Sequence, residues 1–377
     1  MNVPKIRFYG FKEEWQENKL CDIAKITMGQ SPNSENYTND SNDTLLIQGN
    51  ADLNNGKVIP RLFTKQITKT CDKNDIIMTV RAPVGDIAIS DYNACIGRGV
   101  CSIKSSKFVY HYLDYLKMKD YWKKISKGST IDSITSDDIK SLLIKTPNKK
   151  EEEKIIKTID LINKKIELQS KKIEDLKLFK MCTLDRFFNK NSHETKNVLS
   201  NYCTCLTGKS KANQVDEKGI YYIMDMGTVN SDGYILKNKP TFCNLDMLSY
   251  GDLIMPKDDI GGGLIIGKTG FIDENNKYIL GDHVYLIKTK NINSLYLHYQ
   301  INSKYINKQL KRKVTGSAQL GLKADNILNQ EILVHSKHEQ NKIANIFKSM
   351  DKKIMLENKK LENLLKMKKG LMQNMFV

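Results

Sequence analysis

The sequence predicts a mixed α/β (α+β) fold in which two repeated, strand-rich domains are joined by two long helices that pair as an antiparallel coiled coil about a pseudo-twofold axis. Three observations carry that expectation. The chain contains an internal repeat, each copy ends in a heptad seam, and short apolar runs upstream of each seam are set among turn-forming residues.

The repeat is clearest in the helical stretches. EEEKIIKTIDLINKKIELQSKKIEDLKLFK (151–180) aligns without a gap on EQNKIANIFKSMDKKIMLENKKLENLLKMK (339–368), with Lys164-Lys165-Ile166 on Lys352-Lys353-Ile354. At the same offset GSTIDSITSDDIKSLLIKTP (128–147) lies over GSAQLGLKADNILNQEILVH (316–335). Further upstream the match continues with small changes of offset, as loop insertions produce: LLIQGN (45–50) falls on YYIMDM (221–226), and DIIMTVRAPVGDIAI (75–89) on DLIMPKDDIGGGLII (252–266). The predicted organisation is therefore a first domain over 1–146, a first helix over 147–190, a second domain over 191–334 and a second helix over 335–377.

In the first helix Ile155, Ile159, Ile162, Ile166, Gln169, Ile173 and Leu176 alternate four and three residues apart; the second repeats this with Ile343, Phe347, Met350, Ile354, Glu357, Leu361 and Leu364. Such a narrow stripe is a coiled-coil seam, and a polar group at one seam position fixes register at some cost in stability. Two related helices in one chain can pair antiparallel and carry a domain at either end of the rod.

Sixty Lys and Arg against 43 Asp and Glu leave a formal charge of +17. This favours an anionic partner such as nucleic acid or an acidic membrane surface, although a solvated Lys-rich surface has the same composition. The start, MNVPKIRFYGFKEEW, has no apolar core of a signal peptide, and no uncharged run is long enough to span a bilayer, so a cytoplasmic protein is expected. The eight Cys are scattered, their closest pair, Cys203-Thr204-Cys205, is not a C-x-x-C knuckle, and they read as reduced, mostly buried residues; the six His (111, 193, 283, 298, 335, 338) have no metal-ligand spacing.

One motif points elsewhere. GGLIIGKT (262–269) fits the P-loop pattern G-x-x-x-x-G-K-[ST]. A P-loop needs a helix N-terminus behind it to receive phosphate, and Gly270-Phe271-Ile272-Asp273-Glu274-Asn275-Asn276 is turn-forming instead. The repeat places Gly262–Ile266 over Gly85–Ile89, a turn running into a strand, so 263–266 reads as a buried strand and the Lys behind it as a coincidence.

Several stretches, in this order and in two halves, resemble the DNA specificity (S) subunits of type I restriction-modification systems. They are PKIRFYGFKEEW, the loop MGQSPNSENY (28–37), GSTIDSITSDDIKSL, HEQNKIANIF (338–347) and the closing KKGLMQNMF (368–376). The resemblance covers nearly the whole chain. It implies two target recognition domains, each reading one half of a bipartite site in double-stranded DNA, with the helices as a ruler. It also implies two modification subunits, which carry S-adenosylmethionine and methylate adenine, and restriction subunits that use ATP and Mg. The specificity subunit itself is then non-catalytic and holds no cofactor. In agreement, the sequence has no N/D-P-P-Y-type methyltransferase motif. A basic coiled-coil adaptor without DNA reading, or an adenine methyltransferase or P-loop NTPase in its own right, is the competing reading. Three departures matter: Glu152 stands where the second copy has Gln340, the first helix ends MCTLDRFF where the second has Gly370-Leu371, and Arg81 aligns with Asp258.

Phosphate contacts call for Lys, Arg, small hydroxyls or free amides, and base reading for Arg, Lys, Asn or Gln on projecting loops. On that basis Gln30, Ser31, Arg81, Arg98, Lys127, Ser129 and Thr130 in the first domain, and Lys209, Lys257, Lys268, Ser317, Gln319 and Lys323 in the second, are the expected DNA contacts, since all lie in glycine-marked loops between apolar runs.

Overall fold

The computed structural model describes residues 3–126, 133–189, 196–316 and 319–376. The chain divides into two compact units, 1–169 with 360–377, and 170–359.

The first unit contains strands β1 (Lys25–Met28), β2 (Thr44–Ile47), β3 (Ile76–Thr79), β4 (Ile87–Ile89), β5 (Ala94–Ile96) and β6 (Val100–Lys104), helix α1 (Lys107–Met118) and the beginning of helix α2 (Lys149–Phe188). One sheet runs β1-β6-β3-β4 with antiparallel neighbours and is extended by two short strands; the other is built around β2 and β5, which are parallel. Strand β3, Ile76-Ile77-Met78-Thr79, has no polar face because both of its faces are covered. Ile76 and Met78 join the core under α1, while Ile77 joins a second core with Leu45, Ile47 and Ile96. Phe108, Tyr112 and Tyr115 of α1 surround Phe376, at ring separations of 5.3–5.5 Å.

The second unit repeats this plan. Its strands are β7 (Cys203–Thr207), β8 (Tyr221–Met224), β9 (Leu253–Pro256), β10 (Gly270–Phe271), β11 (Tyr278–Leu280) and β12 (Val284–Thr289), followed by α3 (Ser294–Asn302) and the beginning of α4 (Lys337–Met375). The order β7-β12-β9-β10 matches β1-β6-β3-β4, and β8 lies parallel to β11 as β2 does to β5. Leu253 and Met255 face one core and Ile254 the other, as in β3.

In each unit the start of one long helix meets the end of the other. Ile155 and Ile159 share the first unit's core with Met372, Met375 and Phe376. In the second unit Phe187 packs on Phe347 at 5.8 Å, Lys180 pairs with Asp351, and Lys172 with Glu357 at 3.1 Å, so residue numbers fall along one helix as they rise along the other. That is antiparallel packing on the expected seam. The polar seam position Glu357 is fully buried, and Lys353 lies 3.3 Å from the same carboxylate oxygen that Lys172 meets.

Two expectations need correction. Residues 263–266 are a loop and no buried strand: Leu264 is 62% exposed. The Asp259 carboxylate accepts the backbone N–H groups of Gly261, Ile265 and Ile266, which holds the segment in a turn, and Gly262 and Gly263 adopt the positive φ that such a turn requires. The strand equivalent to β4 comes later, with Gly270 opposite Ile254 as Ala88 is opposite Ile77. The cysteines are all free thiols, but only Cys71, Cys95, Cys101 and Cys203 are buried; Cys205 and Cys243 are half-buried, and Cys21 and Cys182 exposed.

Candidate nucleic-acid interface

In the first unit the ends of β1, β2, β3 and β5 converge with the start of β6. Gly29 N–H donates to Val100 O at 3.0 Å, Gln30 N–H to Ile96 O at 2.8 Å, Gly97 N–H to Ile47 O at 2.8 Å, and Val80 N–H to Gly99 O at 2.9 Å. A side chain at Gly29 would place its Cβ 2.2 Å from Gly97 O, so only glycine allows the two loops to touch. These bonds gather Gln30, Ser31, Arg81 and Arg98 into one loop cluster. Arg98 N–H donates to Ser31 Oγ at 3.1 Å, while the side chains of Gln30, Arg81 and Arg98 are exposed. Arg81 forms a β-bridge with Ser133, and Ile134 N–H donates to Val80 O at 2.9 Å. Lys127, Ser129 and Thr130, and likewise Ser317, lie outside the described residues.

The second unit builds the same cluster on different chemistry. A Cβ at Gly208 would lie 2.5 Å from Gly281 O, Gly281 N–H donates to Met224 O at 2.9 Å, Lys257 N–H to His283 O at 3.0 Å and Leu322 N–H to Lys257 O at 2.9 Å. Asp258 pairs with Gly321 as Arg81 does with Ser133. Lys209 and Gln319 are exposed on these loops, and exposed Lys323 follows Leu322. Lys257 is drawn inward: its Nζ donates to Asp282 O at 2.5 Å, and burial lowers its pKa against the pull of Asp282, Asp258 and Asp225. Lys268 is engaged elsewhere, donating to Asn302 O at 3.1 Å at the end of α3; burial lowers its pKa to about 8, and the Lys311 charge adds to the effect.

Four residues of these clusters escape the sequence reading. Gln48 follows β2, and Asp225 occupies the equivalent place after β8. Burial opposes ionisation of Asp225, but the hydrogen bond from Lys239 at 2.8 Å and backbone N–H donors hold its pKa below the ordinary value. Asp282 and His283 stand where the first unit has Arg98 and Gly99. His283 Nδ1 lies 3.0 Å from Asp258 Oδ2, a hydrogen bond that raises the imidazole pKa despite partial burial. Aligning IGRGV (96–100) with LGDHV (280–284) finds the last two.

The P-loop match is absent in space as well: Thr269 is followed by strand β10, and its N–H donates to Asn302 Oδ1 at 2.9 Å. Among the described residues no cluster of His, Cys, Asp and Glu is placed to hold a metal, and no helix is long and apolar enough to cross a membrane.

Comparison with known proteins agrees with the doubled architecture. Two M. jannaschii proteins, the putative type I restriction enzyme MjaX specificity subunit and the MjaIX specificity subunit, are 36% identical over 172 residues and 27% identical over 193. These matches take in 44% and 46% of this chain but only 40% and 44% of those proteins, less than half their length. The MjaVIII specificity subunit of the same organism, Methanocaldococcus jannaschii, is 26% identical over 294 residues, 69% of this chain and 68% of that one. In fold, the type I restriction-modification S subunit from M. genitalium superposes with a TM-score of 0.64 at 17% identity, covering 100% of this chain and 99% of the other. A chain from a structure describing complex assembly and conformational transition of the type I R-M system gives 0.60 at 14% identity, over 97% and 98%. The family model of the type I restriction modification DNA specificity domain matches twice, over residues 12–178 and 195–366, and the chain belongs to that family.

Proposed function

We propose that this chain is the sequence-reading subunit of a type I restriction-modification complex. Each unit's loop cluster takes one half of a bipartite site in double-stranded DNA; the long helices set the spacer and dock two modification subunits. Methyl transfer from S-adenosylmethionine then belongs to the modification subunits, and ATP- and Mg-dependent work to restriction subunits; this chain supplies neither active site and acts in the cytoplasm. The observation that carries the reading is the doubled cluster. Two loop sets, closed by equivalent backbone bonds to equivalent strands, present polar side chains at the same structural place in each unit, which suits a ligand recognised twice.

The test is methylome sequencing of cells that express the chain with its modification subunits, followed by gel shifts of the purified complex on duplexes with and without the site found. The expected result is adenine methylation at one bipartite motif and preferential binding of that motif. Methylation without a motif, or equal affinity for random duplexes, would refute the reading.

A further inference from the structure

The loop clusters share one pair of positions with opposite chemistry. In the first unit the antiparallel ladder pairs Thr79 with Val100, and the bond from Val80 N–H to Gly99 O carries it one step further. The next positions outward are Arg81 and Arg98. In the second unit Pro256 pairs with Val284, Lys257 donates to His283 O, and the next positions are Asp258 and Asp282. Beyond the last ladder pair Arg98 turns away from the strand and Arg81 is bridged to Ser133, so the two arginines are neighbours through the Val80–Gly99 bond that lies between them. The same place therefore holds two arginines in one unit and two aspartates in the other.

The arginines are uncompensated. Arg7 and Arg61 of the same unit lie beside Glu151 and Asp52, whereas among the described residues neither Arg81 nor Arg98 has a carboxylate within ion-pair distance. Both side chains are exposed, so their donors are open to acceptors from outside the protein. Guanidinium groups only donate, in a planar fork, and the base edge that offers two acceptors side by side in the major groove is guanine, at O6 and N7. Phosphate oxygens are the other source of acceptors. The mounting favours the base: Arg98 sits between two glycines on a turn whose amide is tied to Ser31, and Arg81 is bridged to Ser133. Base reading needs a side chain carried on a fixed backbone. The second unit offers only acceptors at this place, and its Asp258 and Asp282 flank His283 at 3.0 and 4.0 Å.

We propose that the Arg81–Arg98 pair reads a guanine through O6 and N7 in one half of the recognised site, and that the second unit has no counterpart to this contact. This rests on the proposed function. It is tested on the assembled complex of the full chain with modification subunits, using duplexes that carry the methylome-defined site with each guanine replaced in turn by 7-deazaguanine, which loses N7 but still pairs. One replacement, in one half only, should weaken binding by roughly 5- to 150-fold. Arg98→Ala and Arg81→Ala should bind the guanine and 7-deazaguanine duplexes equally, while Arg98→Lys should keep part of the discrimination. Replacing 191–334 by the matching segment of a relative should leave this sensitivity in place. The inference is overturned if no 7-deazaguanine matters, if the sensitive guanine moves with 191–334, or if both alanine variants weaken all duplexes alike and flatten the salt dependence, the signature of phosphate contacts. A wild-type complex that does not distinguish its site from random DNA would instead refute the proposed function.

Discussion

The ion pair between Arg7 and Glu151 ties the N-terminal segment to the start of α2, and its worth can be measured. Nε and Nη2 of Arg7 meet the two carboxylate oxygens at 2.7 and 2.8 Å, and Nη2 also donates to Glu13 O at 2.6 Å. Glu151 is 1% exposed and Arg7 11%; the carboxylate raises the arginine pKa above its ordinary value. Arg7→Met would leave a buried carboxylate without its cation, which costs about 3–5 kcal/mol. Glu151→Leu strands a cation that is nearer solvent and keeps one backbone acceptor, so its cost should fall toward the lower end of that range. In the double variant no charge remains buried, and a well-packed apolar pair is often as stable as the ion pair it replaces. The double variant should then lose less than the sum of the single losses by at least about 3 kcal/mol. Trp15 and Trp122, the two tryptophans of the chain, are both buried in this unit, so tryptophan fluorescence in urea follows its unfolding alone. At a slope of about 2 kcal/mol/M, Arg7→Met should move the midpoint down by about 1.5–2.5 M. A shift below about 0.5 M, or strictly additive losses, would show that the pair adds nothing beyond its surroundings.

Further outcomes follow from other features. The His283 imidazole should titrate above the ordinary value of about 6.5 by NMR and return toward it in Asp258→Asn; because its folded pKa is raised, its stabilising contribution is complete below the unfolded value and disappears as pH rises through the folded one. Asp282 and Asp225 also raise this pKa and remain in that variant. At pH 8 a thiol reagent should modify Cys21 and Cys182 promptly and Cys101 only on unfolding, since burial pushes the Cys101 thiol up to about 12; equal rates would contradict its placement. If the helices set the spacer, four residues inserted after Gln169 should lengthen one arm by about 6 Å and the methylated motif by one or two base pairs, because a four-residue insertion acts as a tolerated stutter. A two-residue insertion turns the seam by about 200° and should abolish activity. An active four-residue variant with an unchanged spacer would remove the ruler role.

The repeat made most of the fold legible. Once Ile76–Thr79 is set over Leu253–Pro256, one buried strand predicts the other, and the heptad seam marks both helices with their polar breaks. The loop at 261–267 was not legible, because its course is decided by the Asp259 carboxylate gathering three amides, an interaction that hydrophobic pattern does not encode. At the candidate interface the glycine-marked loops located Gln30, Ser31, Arg81 and Arg98 together. Residue type alone could not show that Lys257 and Lys268 use their charges on backbone carbonyls, or that Asp282 and His283 stand just beyond the end of the matching ladder.

The way the units are assembled from the chain bears on synthesis. The second unit is one unbroken stretch, 170–359, whereas the first combines 1–169 with 360–377. Phe376 fills the space between Phe108, Tyr112 and Tyr115, and Ile6 N–H donates to Asn374 O at 2.9 Å. During synthesis Phe108, Tyr112 and Tyr115 must therefore wait for Phe376, which follows Tyr115 by 261 residues. The second unit, translated between the two parts of the first, has all its parts sooner than the unit that encloses it in sequence.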